Sequence, residues 1–263
     1  MPFSRVIVIN SVEAEVFHRW EDAPHPGVFT SFRALSRDGQ MHVPGLPLHY
    51  ERLISGCLRF GVTAPSLEGI TSEILRGMDE LHLKEARVRV ELFRDFQSIR
   101  IGRIDPLEFD APSITLRTLS VSRPYEDLKS SYGAAVSERY QSQCDPDCEV
   151  LYVDPHGFII EGAWSNFGWI DSTGTVCFTG RGLDGVTQRL ITAILTEAGR
   201  DVRVRHARLS DLLDNGIAPF ISSALRGILP VSKMNEVSFA LNEELLDIRR
   251  RYVDATCSSV FSK

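Results

Sequence analysis

Phe158-Ile159-Ile160-Glu161-Gly162-Ala163-Trp164-Ser165-Asn166 is the stretch that decides the predicted fold of this chain. An apolar strand pattern ends in a glutamate and then enters a turn. Similar strand patterns occupy residues 149–153, 167–171 and 175–178. After them, Gly182-Leu183-Asp184-Gly185-Val186-Thr187 leads into a helical pattern that ends near Ala198. Short strands separated by short turns are typical of antiparallel pairing, so we predict an α+β fold and not a doubly wound sheet.

The chain on either side of this stretch divides into two predicted units. Residues 1–119 are expected to form a small N-terminal α/β domain, because strand patterns alternate there with two helical patterns. Residues 120–126 include Arg123-Pro124 and are interpreted as a linker, because proline can continue neither a helix nor a central strand. Residues 127–263 would form a larger C-terminal domain that begins with a helix at about 127–141.

The composition argues against several classes of protein. With 263 residues, 43% of them hydrophobic and 24% charged, the chain can bury a globular core. A net charge of −6 argues against nucleic acid as a partner, because that role needs clustered lysine and arginine. The longest apolar runs have the length of strands, so no membrane span is expected. Residues 1–9 enter a strand pattern without the features of a signal peptide, and we therefore expect a cytoplasmic protein.

The cysteines give no support for a metal site. Cys144 and Cys148 are the only close pair among five scattered cysteines. A zinc site would need two further ligands nearby, and His156 is the one histidine in that region. We interpret the pair as part of an ordinary loop with reduced thiols and expect no metal.

Three features of residues 129–187 point to one cofactor chemistry. Lys129 is a candidate nucleophile, because an amine that is made neutral by burial or by nearby cations can attack an aldehyde. Glu161 is a candidate partner for a protonated ring nitrogen. The helix that starts near Gly185-Val186-Thr187 offers free N–H groups and a positive dipole end to a phosphate. Together these features indicate pyridoxal 5′-phosphate.

Each feature also has a structural interpretation. A lysine near a helix start is usually a solvated surface residue, and a glutamate that ends a strand can be an edge charge. A threonine at a helix start is often a simple cap. Arg52 would supply a cation for the phosphate, or it would be a solvated helix arginine. The joint order and spacing, rather than any single residue, favour the cofactor.

In this order and spacing the sequence resembles the fold-type IV pyridoxal-phosphate enzymes, the class IV aminotransferases. These include branched-chain aminotransferases, D-amino-acid aminotransferases and 4-amino-4-deoxychorismate lyases. The resemblance covers nearly the whole chain and depends on Lys129 and on residues 27–33, 48–53, 161–166, 185–187 and 220–231. It implies two domains with the cofactor in the cleft between them, and a homodimer in which a partner loop helps to close the pocket.

The resemblance implies a role for each matching residue. Lys129 would be the catalytic residue, forming the Schiff base with the cofactor and moving the α-proton of an amino-acid substrate. The cofactor would be bound by Arg52, Lys129, Glu161, Asn166, Gly185, Val186, Thr187, Ser222 and Ser223. The substrate would be bound by Phe29, Ser31, Arg33, Arg89, Ala224 and Leu225. Arg33 and Arg89 could each bind a carboxylate through two hydrogen bonds, or each could form a structural ion pair.

The chain departs from the family pattern at several positions. Thr30 stands where a glutamate is common, Gln188 where an arginine is usual, and Ala224 where a hydroxyl on the phosphate side is frequent. Residues 21–26 replace the usual Asp-Arg-Gly stretch. These differences concern the identity of the substrate more than the binding of the cofactor.

Three functions remain open from the sequence. The first is an aminotransferase. The second is a 4-amino-4-deoxychorismate lyase, which eliminates pyruvate to give 4-aminobenzoate and which residues 222–231 resemble. The third is a cofactor-binding protein with little turnover, against which the intact Lys129 and Glu161 count. Both enzymes begin with removal of the α-proton, but only the aminotransferase requires an added keto acid.

Overall fold

Two β-sheets and the helices packed on them make up the part of the chain that the computed structural model describes. That part comprises residues 5–8, 26–37, 39–94, 97–104, 111–213 and 216–257. Residues 21–25, which belong to one departure from the family pattern, lie outside it.

The first sheet has five strands and carries the first two helices. Its strands are β1 (Arg5–Val8), β2 (Val28–Arg37), β3 (Gln40–His42), β4 (Glu85–Leu92) and β5 (Gln97–Gly102), in the order β1-β5-β4-β2-β3. The helices are α1 (Leu46–Phe60) and α2 (Leu67–Glu80). Glycines in the left-handed conformation flank α1, with φ of 66° at Gly45 and 64° at Gly61. The helices cover the buried face of the sheet. In the apolar cluster that they form with it, Ile74 and Met78 of α2 and Ile99 of β5 are fully enclosed.

The second sheet has nine strands and curls. Its strands are β6 (Ile114–Ser120), β7 (Cys148–Val153), β8 (Ile159–Gly162), β9 (Asn166–Ile170), β10 (Val176–Thr179), β11 (Val202–Arg205), β12 (Ala218–Ser223), β13 (Gly227–Met234) and β14 (Val237–Ser238). The order is β11-β10-β9-β12-β13-β6-β7-β8, and β14 pairs with β13. Because β8 at the end of this order also contacts β9 and β10, the sheet folds back on itself.

Four further helices accompany the second sheet. They are α3 (Ser131–Gln141), α4 (Val186–Glu197), α5 (Leu209–Leu213) and α6 (Glu243–Cys257). Helix α4 packs through Leu190, Ile191 and Leu195 against an apolar cluster that includes Phe178 and Phe220. The apolar spacing of α4 in the sequence therefore does correspond to one buried face of a helix.

Several predicted elements differ from the observed ones. The helix expected at about 127–141 begins at Ser131, because the side chain of Ser130 caps it by accepting the N–H of Gly133 at 3.1 Å. Lys129 therefore lies before the helix and not within it. Pairing is not purely antiparallel either, since β1–β5, β10–β11, β6–β7 and β6–β13 are parallel pairs.

Strand β6 also lies outside the unit to which the sequence assigned it. The predicted N-terminal unit ended at residue 119, yet β6 pairs with β7 and β13 of the nine-stranded sheet. The chain has thus joined the second sheet by Ile114, before the segment 120–126 that was interpreted as the linker. The alternation of apolar and polar residues in β6 is compatible with either sheet, so periodicity alone does not show to which sheet the strand belongs.

The start of β2 is hydrogen-bonded to the segment around Lys129. The N–H of Phe29 donates to the carbonyl of Lys129 at 3.1 Å, and the N–H of Ser131 donates to the carbonyl of Gly27 at 2.9 Å. The N–H of Gly27 in turn donates to Ser131 Oγ at 2.9 Å. These bonds join the first sheet to the segment that enters α3, and they fix Lys129 where residues of both sheets meet.

Candidate active site

A cavity of about 260 Å³ lies where the two sheets meet. Every predicted site residue except Arg33 lines it. They are Phe29, Ser31, Arg52, Arg89, Lys129, Glu161, Asn166, Gly185, Val186, Thr187, Ser222, Ser223, Ala224 and Leu225. Residues that are far apart in the sequence are therefore brought around one space, which is the arrangement that a single binding site requires.

Lys129 presents a buried amine to this cavity. Its Nζ lies 4.8 Å from the centroid of the Phe29 ring. Burial of the amine lowers the pKa of Lys129 well below its ordinary value. Three guanidinium groups, those of Arg52, Arg123 and Arg89, lower this pKa further. The structure therefore favours a neutral amine, which can act as a nucleophile or accept a proton.

Glu161 is held as a paired, buried carboxylate. One of its oxygens forms an ion pair with Arg123, and the other accepts the N–H of Leu183 at 2.9 Å. Only 3% of Glu161 is exposed. Gly182, with φ of 86°, allows the close approach, because a Cβ there would lie 2.8 Å from the carboxyl carbon of Glu161. A carboxylate fixed in this way can face a positively charged ring nitrogen.

The N-terminus of α4 also lines the cavity. Gly185 precedes the helix and no side chain caps it. The first N–H groups of any helix lack partners within the helix, so they are available to an anion. A Cβ on Gly185 would lie only 1.7 Å from Asn166 Oδ1. Asn166 also donates to the carbonyl of Leu183 at 2.7 Å, and it thereby fixes the loop that leads into the helix.

A buried cation and an unpaired hydroxyl stand at the same end. Burial lowers the pKa of Arg52 to about 10, so its guanidinium remains charged at neutral pH. Ser222 is 1% exposed, and its Oγ has no hydrogen-bond partner among the described residues. A buried hydroxyl without a partner is costly, which is consistent with a ligand that completes its hydrogen bond. Arg52, Ser222 and the start of α4 together fit a phosphate group.

Arg89 occupies the side of the cavity formed by the first sheet. Its Nε lies 2.9 Å from Glu91, and its guanidinium lies 4.2 Å from the centroid of the Phe29 ring. Burial lowers the pKa of Arg89 to about 10, and Glu91 opposes that shift. Glu91 also forms an ion pair with Arg100, at 3.0 Å.

Arg33, which the sequence predicted as a substrate ligand, does not line the cavity. It forms an ion pair with Glu85 at the start of β4. Arg33 lies two residues beyond Ser31 on the same face of β2. Ser31 lines the cavity and Arg33 does not, although both lie opposite arginines that line it, Arg89 and Arg87. The structural ion pair that was the alternative for Arg33 is therefore the one observed.

Sequence reasoning missed several residues that line or support the cavity. Arg123 had been placed in a linker, although it pairs with Glu161. Glu149 is fully buried on β7, where it accepts hydrogen bonds from Ser165 Oγ and Arg226, each at 2.7 Å. A glutamate within the apolar strand pattern was the available signal, because a buried carboxylate requires partners. The other missed lining residues are His49, Arg87, Glu138, Gly162, Ala163, Trp164 and Leu183.

The sequence pattern of the family "Amino-transferase class IV" matches residues 27–234. This chain belongs to that family. Enzymes of the family use pyridoxal 5′-phosphate, and the site fits that cofactor through its lysine, its buried carboxylate and its anion-binding end. No curated protein matches the chain.

Solved structures of this family share the fold at low sequence identity. A "Putative 4-amino-4-deoxychorismate lyase" from Legionella pneumophila is 15% identical over 97% of this chain and 100% of its own, with a TM-score of 0.76. The branched-chain aminotransferase of Thermoproteus uzoniensis with norvaline is 15% identical over 88% of this chain and 85% of its own, with a TM-score of 0.75. The PLP-bound form of a hypothetical aminotransferase from Mycobacterium tuberculosis is 17% identical over 89% of both chains, with a TM-score of 0.74.

No group of His, Cys, Asp and Glu side chains that could hold a metal ion occurs in the described ranges. None of the described helices combines the length and the apolar character that crossing a membrane requires.

Proposed function

We propose that this chain is a pyridoxal-phosphate-dependent aminotransferase that acts on an amino acid through Lys129. The observation that carries the proposal is the buried amine of Lys129, which shares one cavity with the start of α4 and with the Arg123–Glu161 pair. A neutral amine can bond to an aldehyde and can accept a proton, and this chemistry requires both from its lysine.

The residues around the cavity have distinct roles in holding the cofactor. Arg52, the N–H groups at the start of α4 and the hydroxyl of Thr187 would bind the phosphate. Ser222 and Ser223 would approach the phosphate from the C-terminal end of β12. Glu161 would face the ring nitrogen. When bound, pyridoxal 5′-phosphate supplies an electron sink that stabilises the charge left when the α-proton of an amino acid is removed.

Lys129 would carry the proton in this reaction. As a neutral amine it can remove the α-proton of the substrate and return it to the C4′ carbon of the cofactor. Its neighbours Arg52, Arg123 and Arg89 disfavour the ammonium form, so the base is regenerated readily at neutral pH.

Arg89 would bind the carboxylate of the substrate. Arg89 lines the cavity and forms an ion pair with Glu91. A guanidinium that borders the cavity can bind the carboxylate of an amino acid through two hydrogen bonds. Phe29 and Leu225 would contact the remainder of the substrate.

The lyase is a second candidate, and two observations favour it. Residues 222–231 resemble the lyases of the family, and residues 222–226 line the cavity. The Legionella pneumophila protein spans nearly the same chain length, with 97% and 100% coverage. A protein that binds the cofactor with little turnover is the third candidate, and the intact pairing of Glu161 counts against it.

The first experiment locates the cofactor. Protein loaded with pyridoxal 5′-phosphate is reduced with borohydride, digested and mapped by mass spectrometry. We expect the cofactor on Lys129 and not on Lys233, which pairs with Glu236 outside the cavity. Lys129→Ala should lose the attachment, whereas the control Lys233→Ala should keep it. Attachment that survives in Lys129→Ala would overturn the assignment of the lysine.

The second experiment separates the three functions. In an aminotransferase, an L- or D-amino acid converts the bound cofactor once, and continued turnover needs a keto acid. In a lyase, 4-amino-4-deoxychorismate yields pyruvate over many turnovers without a keto acid. Cofactor attached to Lys129 without either reaction would leave the third candidate.

Three other expectations remain proposals. We propose that the chain forms a homodimer, that it is cytoplasmic, and that it divides into two domains with the cofactor between them. Sedimentation of the holoenzyme tests whether it is a homodimer. Detection of the protein in separated cell fractions tests whether it is cytoplasmic.

A further inference from the structure

His49 has a buried ring nitrogen without a partner at the phosphate end of the cavity. The residue is 1% exposed and lines the cavity. Its Nδ1 lies 2.8 Å from Thr30 Oγ1. Its Nε2 is buried and has no hydrogen-bond partner among the residues that the structure describes. A buried nitrogen without a partner is costly, so a ligand is expected to complete its hydrogen bond.

The neighbours of His49 determine which of its nitrogens carries the proton. Arg52 Nη2 lies 3.3 Å from Thr30 Oγ1, and a guanidinium can only donate. Thr30 therefore accepts from Arg52, and its own hydroxyl proton is available for donation to His49 Nδ1. Burial and the nearby Arg52 lower the pKa of His49 well below its usual range, so the ring is neutral. When Nδ1 accepts from Thr30, the proton of the neutral ring lies on Nε2, which is then a hydrogen-bond donor.

Helix packing brings this donor close to the start of α4. A Cβ on Gly45 would lie 2.8 Å from Val186 Cγ1, so the first turn of α1 contacts the first turn of α4. His49 follows one turn later, and its N–H donates to the carbonyl of Gly45 at 3.0 Å. Arg52 lies three residues further, on the same side of α1. His49, Arg52 and the N–H groups of α4 thus border the same space.

We propose that His49 donates its Nε2–H to the phosphate of pyridoxal 5′-phosphate, and that Thr30 is the positioning residue that fixes this tautomer. The proposal rests on the cofactor and not on the choice between aminotransferase and lyase. A hydroxyl at residue 30 can donate to Nδ1, whereas a carboxylate there would only accept Nδ1–H and would leave Nε2 as an acceptor that phosphate repels.

Binding of two ligands to the apoenzyme tests the proposal without any turnover. Pyridoxal 5′-phosphate and pyridoxal both bond to Lys129, but only the first carries the phosphate. We expect His49→Ala to weaken pyridoxal 5′-phosphate binding by roughly 10- to 100-fold, the size of a hydrogen bond to a charged group. Pyridoxal binding should stay unchanged. Equal losses for both ligands would show that His49 is structural and would overturn the proposal.

Variants of matched shape test the role of Thr30. Thr30→Val removes the hydroxyl and should weaken only pyridoxal 5′-phosphate binding, whereas Thr30→Ser retains the hydroxyl and should bind like the wild type. His49→Gln retains an N–H donor near the position of Nε2 and should recover part of the loss in His49→Ala.

A measurement on the wild type does not depend on how any variant folds. Nitrogen-15 NMR of histidine-labelled apoenzyme should show His49 as the neutral Nε2–H tautomer, with a shift of Nε2 when inorganic phosphate is added. An Nδ1–H tautomer, or no response of Nε2 to phosphate or to pyridoxal 5′-phosphate, would overturn the proposal. If NMR shows the Nε2–H tautomer but the protein has neither aminotransferase nor lyase activity, the inference about His49 stands and only the proposed function is overturned.

Discussion

Replacement of Glu149 by glutamine should destabilise the fold, because it removes a single buried carboxylate. Glu149 Oε1 accepts the N–H of Trp164 at 2.9 Å and the hydroxyl of Ser165 at 2.7 Å. Glu149 Oε2 accepts from Arg226 at 2.7 Å. In Glu149→Gln the remaining oxygen can keep the first two contacts, but the new NH₂ group would face another donor, the guanidinium of Arg226.

The size of the effect follows from the burial of the pair. Removal of one partner of a buried ion pair costs about 3–5 kcal/mol, because the other charge is left without compensation. Glu149 is fully enclosed, but the side chain of Arg226 is 20% exposed and can recover some hydration. We therefore expect the lower end, about 3 kcal/mol, which is roughly a hundredfold in the unfolding equilibrium constant. A typical domain has only about 5–15 kcal/mol of stability in total.

Urea unfolding followed by tryptophan fluorescence measures this cost. Glu236→Gln is the matched control, because Glu236 is 94% exposed and pairs with Lys233 at the surface. The control should unfold like the wild type. Glu149→Gln combined with Arg226→Met should be more stable than Glu149→Gln alone, because the unpaired charge is removed. Equal midpoints for Glu149→Gln and Glu236→Gln would refute the reasoning.

Three other predictions concern the cavity. The pKa of Lys129 is lowered in the folded chain, whereas its ordinary value of 10.5 applies to the unfolded chain. As the pH drops from 10.5 toward the lowered pKa, the unfolded chain binds the proton first, so the stability of the apoenzyme should fall over that pH range. Lys129→Met should flatten this dependence and raise the unfolding midpoint at neutral pH. Gly185→Ala should weaken cofactor binding by about tenfold or more in an equilibrium titration, because its Cβ would displace Asn166, and unchanged affinity would contradict this role. Arg89→Gln should raise KM for the amino acid in steady-state assays, whereas Arg33→Gln should not, since Arg33 lies outside the cavity.

Local periodicity was sufficient to predict much of the second sheet. The strands expected at 149–153, 158–161, 167–171 and 175–178 are β7 to β10, each displaced by one residue at most at either end. Their boundaries depend on nearby turn residues, which the sequence shows directly. The same holds for α4, whose apolar stripe and N-terminal glycine are local features. Lys129, Glu161 and Thr187 were then found from their order along the chain.

Contacts between distant segments could not be predicted in this way. Arg123 and Glu161 are 38 residues apart, and Glu149 and Arg226 are 77 apart. No periodicity connects such pairs, because their meeting depends on how the sheets pack. Arg33 illustrates the same limit. An arginine on the correct face of β2 was assigned to the substrate, but the nearby Glu85 pairs with it.

Ion pairing also indicates which arginine is available to the phosphate. Arg123, Arg89 and Arg226 each form an ion pair with a buried carboxylate, so much of their charge is compensated within the protein. Arg52 differs, because the hydroxyl of Thr30 is its hydrogen-bond partner. The carboxylate of Asp184 raises the pKa of Arg52 but forms no ion pair with it within the described residues. A half-buried guanidinium without an ion-paired carboxylate is stabilised by a bound anion. We therefore propose that Arg52, near the start of α4, binds a phosphate, which would compensate both the guanidinium and the helix dipole.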